Sequence, residues 1–228
     1  MTQRRPSLRE LRRLSAEAAA CTLCAAELPH RPRPVFRVER FAPILLIGQA
    51  PGRRVHETGL PWNDLSGQTL RRWLELSPEE FYDPNRLAIL PTGLCWPGTD
   101  RGKGDRPPMP RCAPTWHPRF LELLRPTTRL TLLVGSYAVA AHLPDQAKRP
   151  LADVVATAPE LLRRGVVALP HPSPRNRRWL AQRPWFEREI VPLLRAYVRQ
   201  ALADRRAMVK SDDRSAPSEA RRDRPRAG

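Results

Sequence analysis

The sequence predicts an α/β fold, three layers of helix, sheet and helix around a central, mainly parallel four-stranded sheet. Three observations carry this expectation: four short apolar runs, Gly or Pro at the bounds of each, and a helical candidate in every interval between them. A helix near residues 7–20 comes first, and the run "APILLIG" at 42–48 follows it, closing on Gly48. A helix over 66–76, begun behind Ser66, leads to "LAILP" at 87–91. A helix over 115–125 precedes "LTLLVG" at 130–135, one over 136–143 precedes "VVALP" at 166–170, and a last one covers 185–204. Short continuous apolar runs are the mark of strands buried on both faces, and strands that alternate with helices pair in parallel. Sheets of this kind hold their ligands at the carboxyl ends of the strands.

A chain of 228 residues with 41% apolar content can bury one sizeable core, so one domain is expected over residues 1–205. From residue 206 onward the stretch "RAMVKSDDRSAPSEARRDRPRAG" has almost no apolar content and reads as a disordered basic tail over 206–228. The net charge of +17 favours a polyanionic partner, nucleic acid first, because clustered cations release counterions from phosphates. Only Lys103, Lys148 and Lys210 are lysines, and the chain is dense in Arg, Ala and Pro, a composition that a GC-rich coding bias also produces. Charge alone therefore leaves the partner open. No apolar stretch is long enough to span a bilayer, and "MTQRRPSLRELRR" lacks the apolar centre of a signal peptide, so a cytoplasmic location without membrane association is expected.

Cysteines in a reducing compartment suit metal or cluster ligation better than disulfides. Cys21 and Cys24 form a CxxC pair, whereas Cys95 and Cys112 bound the loop "CWPGTDRGKGDRPPMPRC". That is not the double CxxC of a zinc ribbon. The loop is rich in Gly and Pro and has little means of ordering itself, an independent reason to expect a staple. A four-cysteine zinc site and unligated thiols stay open beside a cysteine-held cluster.

Two strand ends carry the remaining chemistry. "GQAPG" at 48–52 leaves the first strand, where Gly48 and Gly52 allow backbone to approach a ligand closely, and "HPSPRN" at 171–176 leaves the fourth. These segments, in this order and separation, resemble the two signature motifs of the uracil-DNA glycosylase superfamily. The second is closest in wording to the single-strand-selective monofunctional branch, and the first to the iron-sulfur branches, whose versions read GEAPG or GLAPA. The resemblance extends from about Cys21 to Leu194. It implies that Cys21, Cys24, Cys95 and Cys112 hold a [4Fe-4S] cluster, with zinc or no metal as the alternatives. It further implies a monomer that takes uracil out of single- or double-stranded DNA and hydrolyses the N-glycosidic bond.

Roles for individual residues follow from the same resemblance. His171 is placed to donate a hydrogen bond to uracil O2 as charge develops there. Trp62 stands where related enzymes carry a Phe that stacks on the flipped base. Gly48, Ala50 and Thr92 complete the base pocket, Thr92 standing where several branches read the uracil edge with an Asn. Ser173, Arg175, Asn176, Arg177 and Arg178 form the loop that wedges into DNA or grips phosphates. Ala50 occupies the slot in which the best-known branch has its water-activating Asp, so the carboxylate comes from elsewhere. "WNDLSG" resembles the GDASG stretch of one iron-sulfur branch, which makes Asp64 the candidate, with Ser66 capping the helix behind it and Gln49 in reserve to position water. In the competing reading Asp64 is itself the cap. Gly52 replaces a bulky residue that excludes the thymine methyl in one branch, so 5-substituted uracils or hypoxanthine are further candidate substrates. Two other classes remain: a non-catalytic nucleic-acid-binding protein with a cysteine-held metal or cluster, and a nucleotide hydrolase using His56, Glu57, Asp64 and His171 around a divalent metal, although no HxxxH or HExxH spacing occurs.

Overall fold

The four apolar runs form strands β1 (Ile44–Ile47), β2 (Leu87–Ile89), β5 (Leu130–Val134) and β6 (Val166–Leu169). They make one sheet in the order β2-β1-β5-β6, parallel at every pairing. The computed structural model describes residues 7–100 and 104–215. Every residue of the central strand β1 is at most 1% exposed, as expected for a strand covered on both faces. A short antiparallel hairpin, β3 (Thr99–Asp100) with β4 (Gly104–Asp105), lies apart from this sheet in the loop between Cys95 and Cys112.

Helices flank the sheet in a three-layer α/β arrangement. They are α1 (Leu8–Ala19), α2 (Arg53–Thr58), α3 (Leu65–Leu74), α4 (Pro78–Tyr82), α5 (Cys112–Leu124), α6 (Ser136–His142), α7 (Leu151–Ala156), α8 (Ala158–Arg163), α9 (Arg177–Ala181) and α10 (Val191–Ser215). Their starts are written in the sequence where caps exist. Ser7 with Glu10 and Ser77 with Glu80 form capping boxes, and Pro78 fills the first position of α4, where no amide hydrogen is needed. Buried faces recur at helical spacing: Leu11, Leu14 and Ala18 on α1, Leu70, Trp73 and Leu74 on α3, and Val191, Leu194, Val198 and Ala201 on α10. Trp73 meets Phe186 edge-on with ring centres 4.9 Å apart, joining α3 to the π-helical turn Phe186–Ile190 that leads into α10. Each fully buried side chain of this size contributes about 1.5–3 kcal/mol.

Two expectations change. Helices of five or six residues, α2, α4, α7, α8 and α9, add to those expected, being too short to establish a 3.6-residue apolar period in the sequence. The helix expected over 185–204 runs to Ser215, so residues 206–215 have helical backbone rather than the disorder expected from 206; residues 216–228 lie outside the described residues. Among the described residues, no helix is long and apolar enough to cross a membrane.

Candidate active site

The chain steps outward from β1 to β2 and then crosses to β5 on the other side of β1, so a crevice opens beyond the carboxyl ends of β1 and β5. "GQAPG" leaves β1 there and "HPSPRN" leaves β6, two strands away. Both segments line one cavity of about 490 Å³, large enough for a small planar ligand. Gly48, Gln49, Ala50, Trp62, Asp64, His171, Ser173, Arg175 and Asn176 all reach it. Residues far apart in the chain, assigned to this site from the sequence, therefore converge.

Trp62 forms an aromatic wall, and its placement is strained. Its φ of 57° is left-handed, a conformation worth roughly 1–3 kcal/mol against a bulky residue. Local contacts overdetermine it. The Trp62 carbonyl accepts from the Tyr82 hydroxyl at 3.3 Å and from the Arg71 guanidinium at 3.4 Å. It also sits where a Cβ on Gly67 would collide with it. The indole lies against Gly48, where a Cβ would stand 2.8 Å from Trp62 Cζ2. Gly48 thus makes room for the tryptophan rather than directly for a ligand. His171 stacks near the same indole, ring centres 5.7 Å apart and planes 29° from parallel.

Asp64 is the N-cap of α3, its Oδ1 accepting the Gly67 amide at 2.8 Å. The expectation that Ser66 would cap this helix is corrected: Ser66 is buried one position past the helix start and lines the cavity. Capping does not remove Asp64 from the site, because it too lines the cavity and acts electrostatically on His171. Burial lowers the His171 pKa below its ordinary value of 6.5, and the nearby carboxylates of Asp64 and Asp105 offset part of that shift. The imidazole is accordingly neutral at neutral pH.

Other assignments are redistributed. Thr92 does not line the cavity; its hydroxyl and amide both donate to the Gly48 carbonyl, at 2.7 and 2.9 Å, so it braces motif one instead of reading a base edge. Asn176 donates to the His171 carbonyl at 2.8 Å and fixes the histidine's backbone. The Ser173 hydroxyl accepts the Arg175 amide at 3.3 Å, shaping the turn. Arg175 crosses to the β3–β4 hairpin, its guanidinium lying where a Cβ on Gly104 would fall. Arg177 and Arg178 are exposed on α9, outside the cavity. Gln49 donates to the Arg106 carbonyl at 3.4 Å. His56 and Glu57 do not join Asp64 and His171: neither lines the cavity, Glu57 pairs with Arg53, and His56 packs against His30 and Trp96. The constellation required for a metal-dependent nucleotide hydrolase is therefore not assembled.

Asp105, which no sequence motif singles out, is a second carboxylate lining the cavity. Its Oδ1 accepts from Trp96 Nε1 and from the Thr99 hydroxyl, each at 2.9 Å. One signal was available. If the four cysteines share one site, the ends of the 95–112 loop are tied down, and the acids within it are brought to a defined place.

The cysteines do share a place. Cys21, Cys24, Cys95 and Cys112 line a single small cavity with Leu28, Leu94 and Met109. Burial pushes the Cys95 thiol up to about 11 and the Cys112 thiol up to about 12, while the Leu94 amide donates to Cys112 Sγ at 3.2 Å. Burial raises the Cys24 thiol as well. Four thiols from three chain segments facing one apolar space are a donor set that fits a thiolate-ligated group, whose positive charge would offset the cost of ionising them. Among the described residues, no group of three or more His, Cys, Asp or Glu side chains has the geometry to hold a single metal ion.

Fold and site together define a three-layer α/β protein with an aromatic-walled, acid- and histidine-bearing cavity at the strand ends. The chain belongs to the uracil-DNA glycosylase superfamily, whose family model matches residues 37–195, well over half of its length. The match spans both strand-end motifs and the hairpin loop. The family points to DNA glycosylase activity on damaged bases, and hence to DNA as the substrate.

Proposed function

We propose that the protein is a monofunctional uracil-DNA glycosylase that takes uracil out of single- or double-stranded DNA and leaves an abasic site. The observation that carries this reading is the convergence of Trp62, Asp64 and His171 on one strand-end cavity with the Arg175 turn at its edge. Breaking the glycosidic bond separates a sugar with oxocarbenium character from an anionic base. A neutral His171 suits donation to uracil O2, and the Asp64 carboxylate suits the cationic sugar. The Trp62 face offers a stacking surface worth about 1–3 kcal/mol per base. Arg175, Arg177 and Arg178 supply phosphate contacts that position DNA without specifying its sequence.

The four thiols lining one apolar space support a [4Fe-4S] cluster on Cys21, Cys24, Cys95 and Cys112. Such a group would supply a brace that ties the N-terminal segment, the 95–112 loop and the start of α5 to one point. Anaerobic purification with absorbance and iron assay tests it; a colourless, iron-free, fully active protein removes the cluster. The activity is tested with a uracil-containing oligonucleotide and alkali cleavage of the abasic product, with hypoxanthine and 5-substituted uracil oligonucleotides in parallel. Cleavage that depends on uracil and persists in EDTA is expected. Tight DNA binding without excision would establish the non-catalytic alternative.

A further inference from the structure

We infer that Asp105, carried into the pocket by the cysteine-bounded loop, is a second working carboxylate of this site and the group that positions the attacking water. The inference rests on the glycosylase reading above. Asp64 and Asp105 are the two acids lining the cavity, and they enter from unrelated directions, Asp64 from the start of α3 and Asp105 from β4. Their oxygens are committed differently. Asp64 gives Oδ1 to the helix start, through the Gly67 amide. Asp105 has Oδ1 held between Trp96 and Thr99, two donors of its own loop, which fixes the carboxylate plane. Its Oδ2 then faces motif one, 3.4 Å from where a Cβ on Gly52 would stand. Because Gly52 has no side chain, the space in front of that oxygen is left open toward the cavity.

The surroundings favour a functional role over a structural one. A carboxylate needed only to close the β3–β4 hairpin has no reason to turn its second oxygen toward the cavity, yet Asp105 both lines the cavity and acts electrostatically on His171. Motif one itself offers Gln49 and Ala50 at this wall, neither of which can accept a proton from water at neutral pH. In the hydrolysis the C1′–N1 bond breaks and its electron pair leaves on the base, which takes a proton from solvent. The water oxygen bonds to C1′, and the proton it loses passes to Asp105 and on to solvent.

The test compares wild type, Asp105→Asn, Asp105→Ala and Thr99→Val in single-turnover excision from a uracil oligonucleotide, with thermal melting and DNA affinity measured alongside. The asparagine keeps an oxygen for both Trp96 and Thr99, so fold and affinity are expected to hold while excision slows on the order of 100-fold or more. Asp105→Ala is expected to be as slow and to be accelerated by formate but not by chloride at equal ionic strength, since a small carboxylate can occupy the vacated space. Thr99→Val removes one holding donor at an exposed residue and is expected to slow excision roughly fivefold, the effect of one hydrogen bond, which keeps the idea testable if the Asp105 variants fail to fold. Wild-type rates in Asp105→Asn, or a slow Asp105→Ala indifferent to formate, would overturn the assignment while leaving the glycosylase reading intact. A wild-type protein that excises no base from any of the oligonucleotides overturns that reading, and the inference with it.

Discussion

Gly48→Ala offers a test of the pocket wall that deletes no functional group. Gly48 is not in a left-handed conformation, so alanine can adopt its backbone without strain. The added Cβ would stand 2.8 Å from Trp62 Cζ2. Carbon atoms settle at about 3.5–4.0 Å, so the indole must retreat by roughly 0.7–1.2 Å. The tryptophan cannot shift as a unit, because its carbonyl is held by Tyr82 and Arg71 and abuts Gly67. The ring must instead rotate, altering the wall against which His171 is stacked. Displacements near 1 Å at reacting geometry cost on the order of 100-fold in rate. Overpacking costs about 1–3 kcal/mol, offset in part by the roughly 0.4–1 kcal/mol that replacing glycine removes from unfolded-chain entropy. Single-turnover excision should therefore fall far more than melting temperature, which should drop by only about 2–8 °C. Adding Trp62→Phe deletes the overlapping atom and should recover roughly tenfold of the lost rate, the scale of coupling between touching residues. An excision rate unchanged by Gly48→Ala, or a double variant no faster than the single, would refute this account of the glycine.

Asp64→Asn should retain the helix, because asparagine caps about as well as aspartate, while excision slows on the order of 100-fold; near-normal excision would leave Asp64 with the cap alone. Replacing Arg175, Arg177 and Arg178 together should weaken DNA binding and flatten its salt dependence, by about 0.9 in log–log slope for each phosphate no longer neutralised, as fluorescence anisotropy across salt concentrations would measure. Acid should destabilise the fold through its buried histidines. His117 Nε2 donates to the Pro91 carbonyl at 3.0 Å, leaving Nδ1 to accept from His142 at 2.8 Å, and burial first, then His117 and Arg125, push His142 down to about 4. The unfolded chain takes up that proton near pH 6.5, so stability is full above 6.5 and falls as pH drops toward 4, by on the order of 2–3 kcal/mol for His142, as urea melts across pH would measure. His171 shifts in the same direction, so excision should be level above pH 6.5 and decline only below it.

The sequence by itself determined the four parallel strands, the helices long enough to repeat an apolar face, and the two motifs with most of the residues they carry into the cavity. These are legible because a strand's apolar run, a helix's period and a strand-end turn are properties of contiguous residues. Whether Asp64 or Ser66 capped α3 was also a local matter, but the alternatives were chemically equivalent in sequence, and only the geometry showed Asp64 both capping and lining the pocket. What the tertiary structure alone decided depends on partners distant in the chain. Thr92 is drawn out of the pocket by a carbonyl at Gly48, and Asn176 spends its amide on the backbone of His171. Trp62 holds a left-handed backbone because Tyr82, Arg71 and Gly67 enclose its carbonyl, which no rule for tryptophan would suggest. Asp105 becomes a pocket acid because its loop folds back between Cys95 and Cys112 and presents one oxygen to Gly52. A side chain's local propensity does not specify which distant donor or acceptor will be nearest when the chain closes, and it is that neighbour that assigns each polar group its role.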